Sequence, residues 1–316
     1  MSRGVGIRAW LVVYLKGLCM GAADTVPGVS GGTIALVVGV YERLIAALTE
    51  LGLDTLWQLR AIHTAEGRVR AAAALTRADV PFLFVLGAGV LSAAATVATG
   101  MNVAVTRYPA PTYSFFFGLI AASAVVLFRH VTVRTPPRLL VGLFGFAAAF
   151  LLTDPSLSGT RETTLPVLFL AGAIAISAMV LPGVSGAFLL LVLGQYEYVS
   201  SIPRSILEGA IAALGGNPDP LFDAFAPLVV FMAGALVGLF SVAYAVRAAL
   251  SRYRHGTLVF LISLMVGALR LPASEVARNV PDVPSAAVAV TVAVVPAVVG
   301  VTAVLLLDRH TDDLQY

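Results

Sequence analysis

Two short turns in the sequence carry residue types that bind anions. Residues 27–31 and 182–186 both read Pro-Gly-Val-Ser-Gly, and Gly-x-Tyr-Glu follows each turn at the same distance, at 39–42 and 194–197. Such a turn at the start of a helix offers free backbone N–H groups, glycines that permit close approach and a serine hydroxyl. We expect the turns to bind an anion, phosphate above all, although glycines that let membrane helices cross closely give the same pattern.

The constant offset of 155 residues between the two stretches indicates a duplicated unit. At that offset Pro182 corresponds to Pro27, and Tyr196 corresponds to Tyr41. We expect the function to lie where the two copies meet. The candidate substrate-binding residues are Lys16, Asp24, Thr25, Gly28, Ser30, Gly31, Gly32, Thr33, Gly183, Ser185 and Gly186.

Two of these candidates are ionisable residues within apolar segments. A charged side chain at the centre of a membrane helix costs about 2.5–3.5 kcal/mol on insertion scales, so it usually has a partner or a role. We expect Asp24 either to cap the helix after the first turn or to bind a proton or cation. Its counterpart in the second copy is Met179, so the role is not shared. Lys16 is equally explained as an interfacial residue whose ammonium group reaches water.

A second group of candidates surrounds the two Tyr-Glu pairs. A Tyr-Glu pair at a helix end is normally an interfacial anchor, but its presence in both copies favours a part in ion coupling or gating. Arg43 suits bidentate binding of phosphate, although an interfacial cytoplasmic arginine explains it as well. The coupling or gating candidates are Asp24, Tyr41, Glu42, Arg43, Tyr196 and Glu197.

The sequence lacks the usual patterns of enzymes and metal sites. It has four histidines and one cysteine, with no metal-ligand spacing, no P-loop and no Gly-x-Ser-x-Gly elbow. The absence of a nucleophile–base pair disfavours an intramembrane lipid-modifying enzyme. We therefore expect no catalytic residue, no cofactor and no metal, and the scattered basic residues do not indicate nucleic-acid binding.

Composition places the chain in the bilayer. Of its 316 residues, 59% are hydrophobic and only 12% are charged, whereas a soluble domain carries about 25% charge. Apolar segments near the 17–25 residues needed to cross a bilayer recur along the chain. The sequence therefore predicts an all-α polytopic membrane protein, whose oligomeric state it leaves open.

The apolar segments form two sets of five. The first repeat, 1–155, is expected to hold a re-entrant hairpin over 5–50 and spans over 80–101, 111–129 and 138–153. The second repeat, 160–316, is expected to hold a hairpin over 165–200 and spans over 225–250, 257–271 and 286–307. A hairpin is expected because the motifs break the helix and freed backbone groups cannot face lipid. If the motif helices instead cross the membrane completely, every connection stays on the same side. Charge placement therefore does not distinguish re-entrant from fully spanning motif helices.

Charge placement predicts the topology. With two hairpins and six spans, the basic connections at 43–79, 129–138 and 247–254 fall on one face, which the positive-inside rule makes cytoplasmic, together with both termini. Each repeat has an odd number of spans, so the two repeats must be inverted in the membrane. The hairpins then meet near mid-depth, which is the architecture of secondary transporters. More weakly, Phe84-x-x-Gly87 resembles Phe231-x-x-Gly234.

The first motif, from Lys16-Gly17 through Asp24 to Ser30-Gly31-Gly32-Thr33 and on to Gly39-x-Tyr41, resembles a prokaryotic family of polyprenyl-phosphate translocases (the PopT type). The second copy departs at Ala187, where the family more often has serine. The resemblance implies a flippase in the plasma membrane. Its substrate would be undecaprenyl phosphate or a dolichyl-type phosphate, returned to the cytoplasmic leaflet for recycling in cell-envelope glycan synthesis.

Such transport needs a driving force. A phosphomonoester carries about −1.5 to −2 charge, and moving it inward costs about 2.3 kcal/mol per charge per 100 mV, or roughly 3.5–4.6 kcal/mol per 100 mV. We therefore expect coupling to at least two inward-moving protons or sodium ions. The alternative is a secondary transporter of a small soluble anion, and the prenyl chain length stays open.

Overall fold

The computed structural model describes residues 6–26, 29–52, 63–129, 131, 135–154, 162–280 and 285–311. Throughout these ranges the regular structure is α-helix without strands, as expected. The helices of the described residues are, in chain order, α1 (Ile7–Asp24), α2 (Gly31–Val37), α3 (Tyr41–Glu50), α4 (Ala65–Arg77), α5 (Val80–Thr96), α6 (Ala98–Arg107), α7 (Pro109–Arg129), α8 (Pro136–Leu152), α9 (Leu165–Val180), α10 (Gly186–Val192), α11 (Tyr196–Leu214), α12 (Asp219–Ala268), α13 (Arg270–Asn279) and α14 (Ala286–Thr311).

Several of these helices are long and apolar enough to cross a bilayer. Among the described residues, Pro109–Arg129, Asp219–Asn279 and Ala287–Leu306 meet both criteria, and the number rises to five if each of two bent helix pairs counts as one span. On the shorter apolar helix α8, Leu140 and Phe144 are 67% and 68% exposed. Large exposed apolar surfaces of this kind mark contact with lipid. The protein is therefore a multi-pass helical membrane protein.

Helix boundaries repeat at the offset of 155 residues. The short helices α2 and α10 have seven residues each and begin at Gly31 and Gly186. The next helices, α3 and α11, begin at Tyr41 and Tyr196. The helices that follow the two motif turns thus begin at matching positions in both halves of the chain.

A glycine with positive φ ends each short helix. Gly39 and Gly194 have φ of 70° and 68°, the left-handed conformation that strains other residues. In both units the N–H of the following residue donates to the carbonyl five residues earlier at 2.9 Å, the usual bond of a glycine-ended helix. Within the hairpin expected over 5–50, the part after the turn therefore consists of two helices, α2 and α3, bent by 115°.

Three further boundaries differ from expectation. The span expected over 80–101 ends at Thr96, and α6 follows as a separate helix. The spans expected over 225–250 and 257–271 are joined in α12, where only Tyr253 leaves helical geometry (φ −135°, ψ 48°). The helices α4 and α13 lie mainly between the membrane segments expected from the sequence, because hydropathy alone does not reveal a polar helix.

Glycines let the helices of each unit pack closely. α1 lies along α5, and α9 lies along the first half of α12. Gly17 and Gly172, which match at the repeat offset, each leave no space for a Cβ beside a carbonyl of the partner helix. Gly89 packs against a backbone carbonyl of α1, and Gly234 packs in the same way against a backbone carbonyl of α9. A Cβ added at Gly87 would contact nothing within 4 Å. The expected correspondence of Gly87 with Gly234 is therefore wrong by two residues.

The remaining long helices pack across the two units. α8 lies along the second half of α12, where Gly145 meets the Phe260 carbonyl. α7 lies along α14, where Gly300 meets the Phe115 carbonyl. The main hydrophobic core is shared by the two units, since its buried residues come from α1, α2, α3 and α5 as well as from α10 and α12.

Basic connections meet at one end of the molecule. Arg247, near the end of the first half of α12, pairs with Glu50 of α3 at 2.5 Å. Arg138, at the start of α8, lines a cavity of about 380 Å³ together with Arg252 and Arg254. The three connections that were expected on one membrane face are thus brought to the same end.

Candidate functional site

The two Pro-Gly-Val-Ser-Gly turns contact each other directly. The Gly183 N–H donates a hydrogen bond to Thr33 Oγ1 at 2.7 Å, and Ser30 Oγ donates to the Leu181 carbonyl at 3.4 Å. A Cβ on Gly32 would lie 2.7 Å from the Met179 carbonyl oxygen. The candidates Ser30 and Thr33 are at most 2% exposed. The described residues of the first motif are therefore packed against the second motif in the protein interior.

Asp24 caps the helix that follows the first turn. The Gly31 N–H donates to Asp24 Oδ1 at 2.6 Å, whereas Ser30, which precedes the helix, makes no capping bond. Capping is one of the two roles expected for Asp24, and a carboxylate at a helix N-terminus is favoured by the free amides there.

The second unit caps its helix in another way. Ser185 Oγ accepts a hydrogen bond from the Phe188 N–H at 3.4 Å. Met179, the counterpart of Asp24, instead packs against Gly186. Because Asp24 has taken over the cap in the first unit, the Ser30 hydroxyl is available for its bond to the second unit.

This arrangement limits what the first turn can bind in the present conformation. The Gly31 amide, a candidate anion donor, already donates to Asp24, and the carboxylate would repel an anion at the same place. An incoming phosphate must therefore displace or neutralise Asp24. Gly28 lies outside the described residues.

Two other candidates do not join the turns. Thr25 Oγ1 donates to the Ala22 carbonyl at 2.7 Å, within its own helix. Lys16 is half-buried on α1, and at 1.5 Å rise per residue it lies about 12 Å along the helix from Asp24. The structure therefore separates Lys16 from the capping carboxylate.

Apart from Asp24, the coupling candidates of the first unit lie at the end where the basic connections meet. Glu42 pairs with Arg254 at 2.9 Å, and Arg43 pairs with Asp79 at 2.6 Å. Tyr41 is 2% exposed, and its hydroxyl has no hydrogen-bond partner within the described ranges. Tyr41 is thus a core residue, so the interpretation as an interfacial anchor is wrong for it.

The equivalent residues of the second unit have different surroundings. Tyr196 is 38% exposed, which suits an interfacial position. Glu197 is exposed, and among the residues that the structure describes it forms no ion pair. The two Tyr-Glu pairs therefore share their place in the chain and not their contacts.

Sequence reasoning did not identify Arg254 as a functional residue. In the sequence, Arg254 was considered only as one of the basic residues of its connection. In the structure it donates a hydrogen bond to Glu42, which lies 212 positions earlier in the chain. No local pattern signals this pairing, because the two residues are brought together only by the packing of distant helices.

Comparisons with known proteins agree on one family. A family model described as undecaprenyl phosphate translocase-like matches residues 20–283. A polyprenyl-phosphate transporter of Vibrio cholerae is 36% identical over 262 residues, which cover 82% of this chain and 76% of that protein. A polyprenyl-phosphate transporter of Staphylococcus aureus is 28% identical over 271 residues, which cover 82% of this chain and 84% of that protein. No solved structure gives a significant match.

Proposed function

Because this chain belongs to the undecaprenyl phosphate translocase-like family, we propose that it transports a polyprenyl phosphate from the outer to the cytoplasmic leaflet of the plasma membrane. The carrier lipid, undecaprenyl phosphate or a dolichyl-type phosphate, would then be recycled for cell-envelope glycan synthesis. The observation that carries this proposal is the bond between the Gly183 N–H and Thr33 Oγ1, which joins the two glycine-rich turns.

The two units are inverted with respect to each other in this proposal, and both termini are cytoplasmic. Contacts at the basic end support the inversion. Arg43 of α3 pairs with Asp79, directly before α5 begins. Arg247 pairs with Glu50 of the same helix α3, where the first half of α12 nears its end. α5 and the first half of α12 are equivalent helices of the two units. The start of α5 and the end of the first half of α12 lie beside the same helix α3, so the two equivalent helices run in opposite directions.

Head-group binding at the turns is linked to neutralisation of Asp24. A phosphate that accepts the Gly31 N–H must take the place of the Asp24 carboxylate, which now accepts it at 2.6 Å. Binding of a proton or a sodium ion by Asp24 removes the repulsion between the two anions. Cation binding and phosphate binding at the turns therefore favour each other, which is the requirement for coupled transport. Glu42 and Glu197 are the other candidate carriers.

The direct test is a leaflet-resolved assay in proteoliposomes. Undecaprenyl phosphate placed in one leaflet should redistribute faster with the protein than in empty liposomes, with no release of inorganic phosphate. Movement of inorganic phosphate without movement of the lipid would indicate the small-anion transporter instead. Redistribution at the rate of empty liposomes would contradict the proposed function.

A further inference from the structure

A cavity of about 530 Å³ lies at the C-terminal end of α2, where the basic connections meet. Its lining combines two kinds of side chain. The charged part consists of Glu42, Arg43 and Arg254. The apolar part includes Leu127, Leu258 and Ile262. A ligand with an anionic head and an aliphatic tail matches both parts.

A single exposed ion pair limits the access of an anion to the charged part of this cavity. Arg43 is paired with Asp79, so only the exposed Glu42–Arg254 pair, at 2.9 Å, would have to open for an anion to bind Arg254. Exposed ion pairs of this kind contribute little stability. Arg43 is already oriented, because it pairs with Asp79 and its guanidinium lies 4.1 Å from the centre of the Phe82 ring.

The position of the cavity relates it to the two turns. The turns contact the first residues of α2, and the cavity lies beyond its last residues, at Leu36 and Gly39. With seven residues, α2 is about 10 Å long. A head group leaving the turns toward the basic end would reach the cavity within about that distance.

We propose that this cavity is a second head-group site for a polyprenyl phosphate, and that Arg254 exchanges Glu42 for the phosphate there. The inference rests on the transport function proposed above. A phosphate with about −1.5 to −2 charge competes with a single carboxylate, since arginine binds phosphate bidentately. Arg43, whose charge is balanced by Asp79, adds a further N–H donor for the phosphate, and Leu258 with Ile262 contacts the first prenyl units.

Equilibrium binding to the purified full chain in detergent tests the site, with farnesyl phosphate as a short prenyl phosphate. Arg254→Gln should weaken binding by about tenfold or more, because a charge-assisted contact is lost. Glu42→Gln should strengthen binding severalfold, because it removes the carboxylate that competes for Arg254. Arg252→Gln is the matched control, since Arg252 lies two residues away and contacts Tyr253 instead; it should stay within about twofold of the unaltered protein.

The opposite signs of these effects separate binding from stability. Arg254→Gln and Glu42→Gln break the same ion pair, so a purely structural role of the pair would make both variants bind more weakly. That result would overturn the proposal, as would binding by Arg254→Gln within twofold of the unaltered protein. Inorganic phosphate and farnesol should each bind at least about tenfold more weakly than farnesyl phosphate. Equal binding of inorganic phosphate would assign the cavity to a soluble anion and overturn the lipid site.

The transport assay keeps the two proposals apart. If the unaltered protein moves undecaprenyl phosphate between leaflets while Arg254→Gln binds farnesyl phosphate unchanged, only the second site fails. If the unaltered protein moves no lipid but the binding series has the expected signs, the head-group site stands and the transport function fails.

Discussion

Asp24 and Met179 occupy equivalent positions and give the two turns different caps. Asp24 bonds the Gly31 amide, whereas the second unit uses Ser185 for the same purpose. Only the first unit therefore has a carboxylate at this position, near the hydrogen bond between Thr33 and Gly183. A carboxylate at this place can bind a cation and a methionine cannot, so in the proposed mechanism Asp24 is a candidate carrier without an equivalent in the second unit.

The Asp24→Asn variant should keep the hydrogen bond that caps α2 while removing the negative charge of the side chain. The asparagine side-chain oxygen still accepts the Gly31 N–H, so the free energy of unfolding should change by less than about 0.5 kcal/mol, whereas Asp24→Ala should lose about 1 kcal/mol. Lipid transport by Asp24→Asn should no longer respond when the proton gradient is collapsed or sodium is removed, because the carrier carboxylate is gone. Unfolding in detergent and the leaflet-resolved assay measure the two effects.

The unaltered protein provides the control for this experiment. Its transport should slow on collapse of the proton gradient or on removal of sodium, according to the coupling ion. A response of Asp24→Asn equal to that of the unaltered protein would exclude Asp24 as the carrier, and an unaltered protein insensitive to both treatments would exclude coupling.

At the scale of elements, short helices broken by glycines bring the two motifs together. α2 and α10 are each followed two residues later by a glycine of positive φ, Gly39 and Gly194, so each motif consists of a turn, a seven-residue helix and a second break. The small size of Gly32 then allows the first turn to approach the backbone around Met179. Of the two explanations that the sequence left open for the glycines, the structure supports close packing, and anion binding stays a prediction.

Gly32→Ala should push the two turns apart. The added Cβ would lie 2.7 Å from the Met179 carbonyl oxygen, a backbone atom that cannot turn away. Overpacking of this kind costs about 1–3 kcal/mol, and the loss of contact between the turns should slow lipid transport. Gly87→Ala is the matched control, because a Cβ there meets nothing within 4 Å, and it should be neutral or stabilising by about 0.5–1 kcal/mol.

Thermal unfolding and the transport assay read out both glycine variants. Equal stability and equal transport of Gly32→Ala and Gly87→Ala would mean that the turns tolerate separation, which contradicts a function based on their contact.

At the scale of the whole molecule, the two units exchange helices. α7 of the first unit packs on α14 of the second, and α8 packs on the second half of α12. Neither unit therefore completes its packing alone.

The proposed inversion predicts opposite sides for equivalent connections. In a variant without the native cysteine, Cys19→Ala, single cysteines would replace the exposed residues Arg70, Arg204 and Arg252 in turn. A membrane-impermeant thiol reagent added to intact cells should label the Arg204→Cys protein. The Arg70→Cys and Arg252→Cys proteins should be labelled only after permeabilisation, because their connections carry the positive charge.

Two labelling patterns would count against this arrangement. Labelling of all three positions from one side would contradict the inversion. Labelling of positions 70 and 252 from opposite sides would contradict the end at which Arg247 and Arg254 contact α3.

The sequence by itself determined the helical membrane class, the duplication and the position of both motifs, because these depend on composition and on local pattern. It missed the polar helices α4 and α13 and misplaced several boundaries, because hydropathy does not mark a polar helix or a break that leaves most backbone hydrogen bonds intact. Only the tertiary structure decided which residues meet. The Thr33–Gly183 bond joins residues 150 positions apart, and the Glu42–Arg254 pair joins residues 212 positions apart. Such contacts depend on how helices pack in space, which the spacing of residues along one chain does not specify.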